Sequence, residues 1–201
     1  AYCPDELKIY PCQLLENTEL YDLWQEGAYH PYSEATLLDL IADVKTTVPR
    51  YCRINRIIRD IPSTYVVAGN KNSSLRQDIQ REMTRRGTHC ECVRCREIRR
   101  LKVTPKSVDL HDLVYHPADA EEHFLSFDSE NDKLAGFLRL SLPEDTHRTG
   151  IPDLADAAII REVHVYGQSL EVGEERAGIA QHSGLGTRLI EEAEEIAREQ
   201  G

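Results

Sequence analysis

The strongest constraint on how this chain can fold lies toward its carboxyl end. A strand-like run, Ala158 to Tyr166, leads into Gln181-His182-Ser183-Gly184-Leu185-Gly186-Thr187 and then into an amphipathic stretch reaching Glu199. There Leu185, Leu189, Ala193 and Ile196 recur at helical spacing with acids on the opposite side, which predicts a helix from about Gly186 with one buried face. Glycines placed this way let backbone approach a pyrophosphate, whose charge then rests on free amides at the positive helix end. A lone Gly-x-Gly before a helix is more often a plain tight turn. Its position between a strand and an amphipathic helix favours the anion-binding use.

Upstream, the first third reads as α/β. Asn17 or Thr18 can cap a short helix that buries Leu20, Leu23 and Trp24 and stops at Gly27. Ser33 caps a longer one, with Leu37, Leu38, Ile41 and Val44 on one face and Pro49 beyond its end. Tyr51 to Ile58 is strand-like, and Leu75, Ile79 and Met83 mark a further helix with Gly87 as its stop. Beyond a boundary near residues 100–106 the texture turns to strands: Val108 to Tyr115, Glu122 to Phe127, Lys133 to Leu142 and Ala158 to Tyr166. Residues 128–132, Asp-Ser-Glu-Asn-Asp, read as a hairpin turn. The 201 residues hold one large domain or two small ones, 40% of them apolar, and no run approaches the roughly 20 apolar residues of a membrane helix.

The glycine segment resembles the acetyl-CoA loop of GCN5-related N-acetyltransferases, whose signature Q/R-x-x-G-x-G/A is met by Gln181, Gly184 and Gly186. In the strand before it, alternation puts Glu162, His164 and Tyr166 on one face and Val163 and Val165 on the other. His164 can serve as a base, although a strand histidine more often makes only a structural hydrogen bond.

Three cysteines crowd into His89-Cys90-Glu91-Cys92-Val93-Arg94-Cys95. Thiols this close, just past a helix end, can converge on one soft tetrahedral ion. Neighbouring Arg94 and Arg96 favour the thiolates that a metal requires. Incidental buried cysteines are the plainer alternative. A compact three-ligand loop suggests a structural zinc clip; His89, Cys3, Cys12 and Cys52 all remain open as a fourth ligand. Six cysteines grouped in this way do not form the framework of a secreted disulfide protein, so a reducing cytoplasmic setting is expected.

The net charge of −11 argues against a nucleic-acid partner, but it hides an asymmetry. From Arg76 to Lys106 ten basic residues face four acids, a window of +6 that leaves −17 for the rest of the chain. Such a band, which includes Arg81, Arg85, Arg86, Arg94 and Arg96, is either a solvated helix face or a phosphate-binding footprint.

Several runs together resemble one family: the catalytic subunit of Elongator, in its single-chain archaeal and bacterial form. They include Pro4-Asp5-Glu6-Leu7-Lys8-Ile9-Tyr10-Pro11, Leu20-Tyr21-Asp22-Leu23-Trp24, the run Arg53 to Pro62, Phe124-Leu125-Ser126-Phe127, Arg161-Glu162-Val163-His164-Val165-Tyr166-Gly167 and Gln181 to Gly186. The resemblance covers essentially the whole chain. It implies the C-terminal part of a radical S-adenosylmethionine α/β barrel domain (1–86), a zinc-binding loop and linker (87–104) and a GCN5-related N-acetyltransferase α+β fold (105–201) cut short of its last strand and helix. The iron–sulfur cysteines would then lie upstream of Ala1.

The implied activity is formation of 5-carboxymethyluridine at the tRNA wobble position, with acetyl-CoA, S-adenosylmethionine and a 4Fe-4S cluster as cofactors. Carried over by position, Glu162, Val163, His164, Val165, Gln181, Gly184, Leu185, Gly186 and Thr187 would contact acetyl-CoA. Cys90, Cys92 and Cys95 would hold zinc, and the basic band would meet tRNA. No catalytic side chain is assigned. Partners would be tRNA and either a second copy or Elongator-type subunits, with no membrane. The alternative is a conventional histone-type lysine N-acetyltransferase, in which Glu162 or His164 deprotonates an amine.

Overall fold

The computed structural model describes residues 2–99, 104–117, 120–144, 150–154, 157–166 and 184–199. The chain divides into two compact units, Pro4–Cys95 and Arg96–Gly201, the first three residues joining the latter.

In the Pro4–Cys95 unit, strand β1 (Glu6–Lys8) runs parallel to β3 (Arg53–Arg56), and β2 (Gln13–Leu15) runs antiparallel to β4 (Val66–Gly69). Strands of three or four residues carry too little periodicity to be read from sequence, so β1, β2 and β4 were not expected. The expected strand Tyr51 to Ile58 shrinks to β3, because Cys52 N–H donates to the Pro49 carbonyl at 3.0 Å and spends the start of the run on a turn. Gly69 is required where it stands: its φ is +91° and a Cβ there would lie 2.5 Å from the Cys12 carbonyl oxygen.

Helix α1 (Glu19–Gln25) is capped by the Thr18 hydroxyl, which accepts from Tyr21 N–H at 3.2 Å. It buries no residue, and Leu23 is exposed, contrary to the expected apolar face. Helix α2 (Glu34–Thr46) is capped by Ser33. Its buried stripe is Leu37, Ile41, Ala42 and Lys45; Val44 falls off that face and is exposed. Helix α3 (Leu75–Arg85) packs against α2 and has Leu75, Ile79 and Met83 fully buried, as the four-residue repeat predicts. It stops at Gly87, φ +67°, where Gly87 N–H donates to Thr84 and Thr88 N–H to Met83. A four-residue turn of helix, α4 (Val93–Arg96), follows Cys92 and contains Cys95.

The second unit is an antiparallel sheet in the order β5 (Val108–Tyr115), β6 (Ala120–Ser129), β7 (Leu134–Pro143), β8 (Ile159–Val165). Helix α5 (Leu185–Glu199) lies across β6, β7 and β8. Its Leu185, Leu189 and Ala193 pack with Leu125, Phe127, Leu138 and Leu140 in one core. Ile98 belongs to that core and donates its N–H to the Leu134 carbonyl, so the chain is tied to the sheet ahead of the boundary expected near 100–106. A hairpin turn joins β6 and β7 as expected but spans only residues 130–133, because Asp128 and Ser129 stay in β6, where Asp128 pairs with Leu134; Asp132 within the turn has φ +56°.

Candidate acetyl-CoA platform and cysteine cluster

Among the described residues strand β8 ends the sheet, paired with β7 on one side, and most of its residues are exposed. The register shifts between Arg139 and Leu140: Arg139 faces Glu162 while Leu140 faces Ile160, leaving Arg161 as the extra residue of a bulge. A bulge turns the strand and frees backbone groups that a ladder would consume. At its far end Val165 faces Gly136, where a Cβ would stand a tight 3.1 Å from the His164 carbonyl oxygen, so the missing side chain eases this approach. Val165 Cγ2 lies 3.6 Å from where a Cβ on Gly186 would stand.

Gly184, φ +75°, begins α5, and its carbonyl accepts the Arg188 N–H at 3.1 Å. The first amides of the helix, at Leu185, Gly186 and Thr187, therefore precede the intrahelical ladder and can receive an anion. Glu162, Val163, His164 and Val165 thus lie on an open strand beside a helix N-terminus carrying Gly184, Leu185, Gly186 and Thr187. Gln181 lies outside the described residues.

Phe124, Phe137, His164 and Tyr166 form a row of rings, with His164 4.4 Å from Tyr166 centroid to centroid, and Tyr166 also packs against the α5 core. Arg139 sits among them, 1% exposed, its guanidinium carbon 5.1 Å from the Phe124 ring and 5.2 Å from the Phe137 ring. Its Nε donates to Glu162 at 2.9 Å, and Arg161 donates to buried Glu122 at 2.6 Å. Two ion pairs thus flank the bulge. Sequence reasoning missed Arg139, although its place in the alternation Phe137, Arg139, Ser141 was a signal.

In the other unit, ligand atoms of Cys90, Cys92 and Cys95 all lie within 4.8 Å of one another, and no other group of three or more potential ligands assembles among the described residues. Cys92 is pushed well down by hydrogen bonds from the Cys90 and Cys95 thiols, aided by the Ile54 and Cys95 backbone. Cys90 is pushed far up by its hydrogen bonds to the same two neighbours and by burial. Cys95 is eased by Cys90, but Cys92 and burial together raise it. One thiolate forms readily; three need a cation between them. That donor set fits a soft divalent ion. Of the fourth ligands considered, His89 is exposed and faces Glu91 at 3.5 Å.

Lys45 went unnoticed in the sequence, although its i+4 spacing from Ile41 puts it on the buried stripe. It is 1% exposed, and its Nζ has no hydrogen-bond partner among the described residues.

The basic band is largely occupied internally. Arg81 pairs with Asp78, Arg85 with Glu82, and Arg86 with Glu82, Asp39 and Asp43. Arg94 donates to the Asn55 carbonyl at 3.0 Å. Arg96, expected on a phosphate-facing surface, is instead 2% exposed and pairs with Asp128 at 2.7 Å. Arg81 and Arg85 remain the most exposed of the set.

Residues 92–201 match the acetyltransferase (GNAT) family. The chain belongs to that family. Residues 4–85 match the Radical_SAM C-terminal domain. Among curated proteins, this GNAT-family chain is 42% identical to the tRNA uridine(34) acetyltransferase of Dehalococcoides mccartyi over 99% of its own length and 44% of the relative's. It is 38% identical to the protein of the same name from Methanocaldococcus jannaschii, over 98% of this chain and 38% of that one. It is also 39% identical to Elongator complex protein 3 of Danio rerio, over 100% of this chain and 37% of that one. Among solved structures, the archaeal Methanocaldococcus infernus Elp3 with an N-terminal deletion superposes with a TM-score of 0.85 at 37% identity, over 98% of this chain and 48% of that one. The chain therefore spans less than half of each of these relatives. No helix among the described residues is long and apolar enough to cross a membrane.

Proposed function

We propose that this chain is part of a tRNA wobble-uridine-modifying enzyme and carries its acetyl-CoA site and a zinc site. The observation that carries this is the order of two family matches on one chain, a Radical_SAM C-terminal domain followed by an acetyltransferase domain, on a chain 42% identical over 99% of its length to a relative named tRNA uridine(34) acetyltransferase. Acetyl-CoA supplies a thioester-activated two-carbon unit, and S-adenosylmethionine with a 4Fe-4S cluster supplies radical chemistry in the whole enzyme, giving 5-carboxymethyluridine.

In this reading the amides of Leu185, Gly186 and Thr187 bind the pyrophosphate, Gly184 gives the turn its sharpness and Gln181 completes the loop. The backbone of Glu162 to Val165 pairs with the amide-bearing arm of the cofactor along the open edge of β8. Arg139 and Glu162 hold that strand's bulge in place. Cys90, Cys92 and Cys95 hold zinc and fix the turn after α3. Arg81, Arg85, Arg86 and Arg94 bind phosphates, the paired ones by exchanging a carboxylate for a phosphate. The substrate is tRNA, the setting cytoplasmic, and an Elongator-type assembly accompanies the name that several relatives bear.

Calorimetric titration of the chain with acetyl-CoA tests the first part. Gly184→Val, forced into an unfavourable φ, should abolish heat of binding without unfolding the sheet. Binding unchanged by Gly184→Val would refute the loop assignment. For tRNA, Arg81→Gln with Arg85→Gln should weaken binding and reduce the slope of log K against log salt by about 0.9 for each phosphate no longer neutralised; an unchanged slope would remove the basic band from the interface.

A further inference from the structure

We infer that Arg188 is the specificity residue of the acetyl-CoA site: its guanidinium binds the 3′-phosphate of the cofactor's ribose and so selects coenzyme A thioesters over the same thioesters lacking that phosphate. The inference rests on the reading that the first amides of α5 hold the pyrophosphate and that the arm of the cofactor lies along β8.

Arg188 has a charge without an internal partner. Among the described residues its side chain makes neither an ion pair nor a hydrogen bond, and it is exposed. Its neighbours in the same unit are engaged: Arg198 pairs with Glu194 on α5, Arg139 with Glu162 and Arg161 with Glu122 on the sheet. Its place on the helix is also unusual. Acids are favoured in the first turn and cations in the last, because the free amides carry partial positive charge. The first turn of α5 has no acidic residue, Arg188 comes next, and Glu191, Glu192, Glu194, Glu195 and Glu199 all lie downstream of it.

The contact that Arg188 does make aims it. Its guanidinium carbon lies 4.5 Å from the centroid of the Phe127 ring, and Phe127 is fully buried. Side chains on a helix lean toward its N-terminus, so Arg188 reaches back along the first turn. The ring beneath fixes the plane of the guanidinium and leaves the N–H edge open, the presentation that suits a bidentate phosphate contact.

The order of groups in the cofactor then decides which phosphate this is. Arg188 N–H donates to the Gly184 carbonyl at 3.1 Å, so only its side chain can reach a ligand, whereas the amides of Leu185, Gly186 and Thr187 precede the ladder. Strand β8 approaches the same turn from one side, with Val165 Cγ2 3.6 Å from where a Cβ on Gly186 would stand. Phe127 belongs to β6, which flanks β7 on the side away from β8. An arm along β8 and a pyrophosphate at the helix end therefore send the next group, the phosphorylated ribose, toward β6. Arg188 stands there.

The test titrates the 201-residue chain calorimetrically with acetyl-CoA and with 3′-dephospho-acetyl-CoA, for wild type and Arg188→Gln at one salt concentration. Wild type should bind acetyl-CoA about tenfold more tightly than the dephospho form, the scale of one hydrogen bond between charged groups. Arg188→Gln should bring the two affinities within about twofold by weakening acetyl-CoA alone. The ratio is internal to each protein, so a partly unfolded sample does not imitate its loss. A wild type that binds both ligands alike, or a variant that keeps the wild-type ratio, overturns the inference and leaves the acetyl-CoA reading standing. Equal weakening of both ligands in Arg188→Gln would put the guanidinium on the pyrophosphate and overturns it as well. A wild type that binds neither ligand overturns the acetyl-CoA reading itself, and the inference with it.

Discussion

Arg139→Gln is the sharpest test of how the acetyl-CoA strand is held. Arg139 is 1% exposed, and the substitution removes three interactions together: the 2.9 Å hydrogen-bonded ion pair with Glu162 and the faces of Phe124 and Phe137 at 5.1 and 5.2 Å. At this burial each cation–ring pair contributes about 1 kcal/mol. The ion pair is worth about 1 kcal/mol rather than the several of a fully buried one, because Glu162 remains 41% exposed and water can solvate the orphaned carboxylate. The expected destabilisation is about 3 kcal/mol, or roughly 6–12 °C in melting temperature for a chain of this size, read by scanning calorimetry. Trp24 lies in the other unit, so its fluorescence is the wrong probe. Glu162→Gln should cost less than Arg139→Gln, and a double-mutant cycle of Arg139→Gln with Phe137→Leu should give a coupling of about 1 kcal/mol. A shift below about 2 °C, or a coupling near zero, would show that the rings and the guanidinium are neighbours without being partners. Acetyl-CoA affinity should fall with Arg139→Gln if the bulge at Arg161 is what frees the backbone of β8.

Met83→Ala, at a site 0% exposed on α3, should destabilise by about 2–5 kcal/mol in urea unfolding; a change under about 1 would mean the site collapses around the gap. Gly69→Ala drives a Cβ to 2.5 Å from a backbone oxygen at φ +91° and should cost about 2 kcal/mol or more, which a melting curve detects. Glu82 is pushed down from 4.5 to about 2 by hydrogen bonds from Arg85 and Arg86. Its folded value lies below its unfolded one, so its stabilisation is present above about pH 4.5 and disappears as pH falls toward about 2. Glu82→Gln should flatten melting temperature against pH in that window, by a small amount because its partner Arg85 is largely exposed and the pair is screened by water; an unchanged acid limb would mean the pairing does not persist in solution.

Elements whose signal is local and long are settled by the chain's own residues. Leu75, Ile79 and Met83, and Leu185, Leu189 and Ala193, repeat often enough to fix a buried helix face whatever they pack against. The Gly184 turn and the crowding of Cys90, Cys92 and Cys95 were equally legible, because a positive φ and a six-residue loop are properties of the chain alone. Everything else waited on packing. Helix α1 has an apolar pattern yet buries no residue, since burial depends on a neighbour the pattern does not name. The basic band reads as a free surface until distant Asp39, Asp43, Asn55 and Asp128 arrive to occupy Arg86, Arg94 and Arg96. Lys45 and Arg139 are the clearest cases. A charged residue within an apolar alternation looks like an interruption of the core, and only the fold shows what surrounds it: two aromatic faces and a carboxylate for Arg139, and for Lys45 a sealed interior with no hydrogen-bond partner among the described residues.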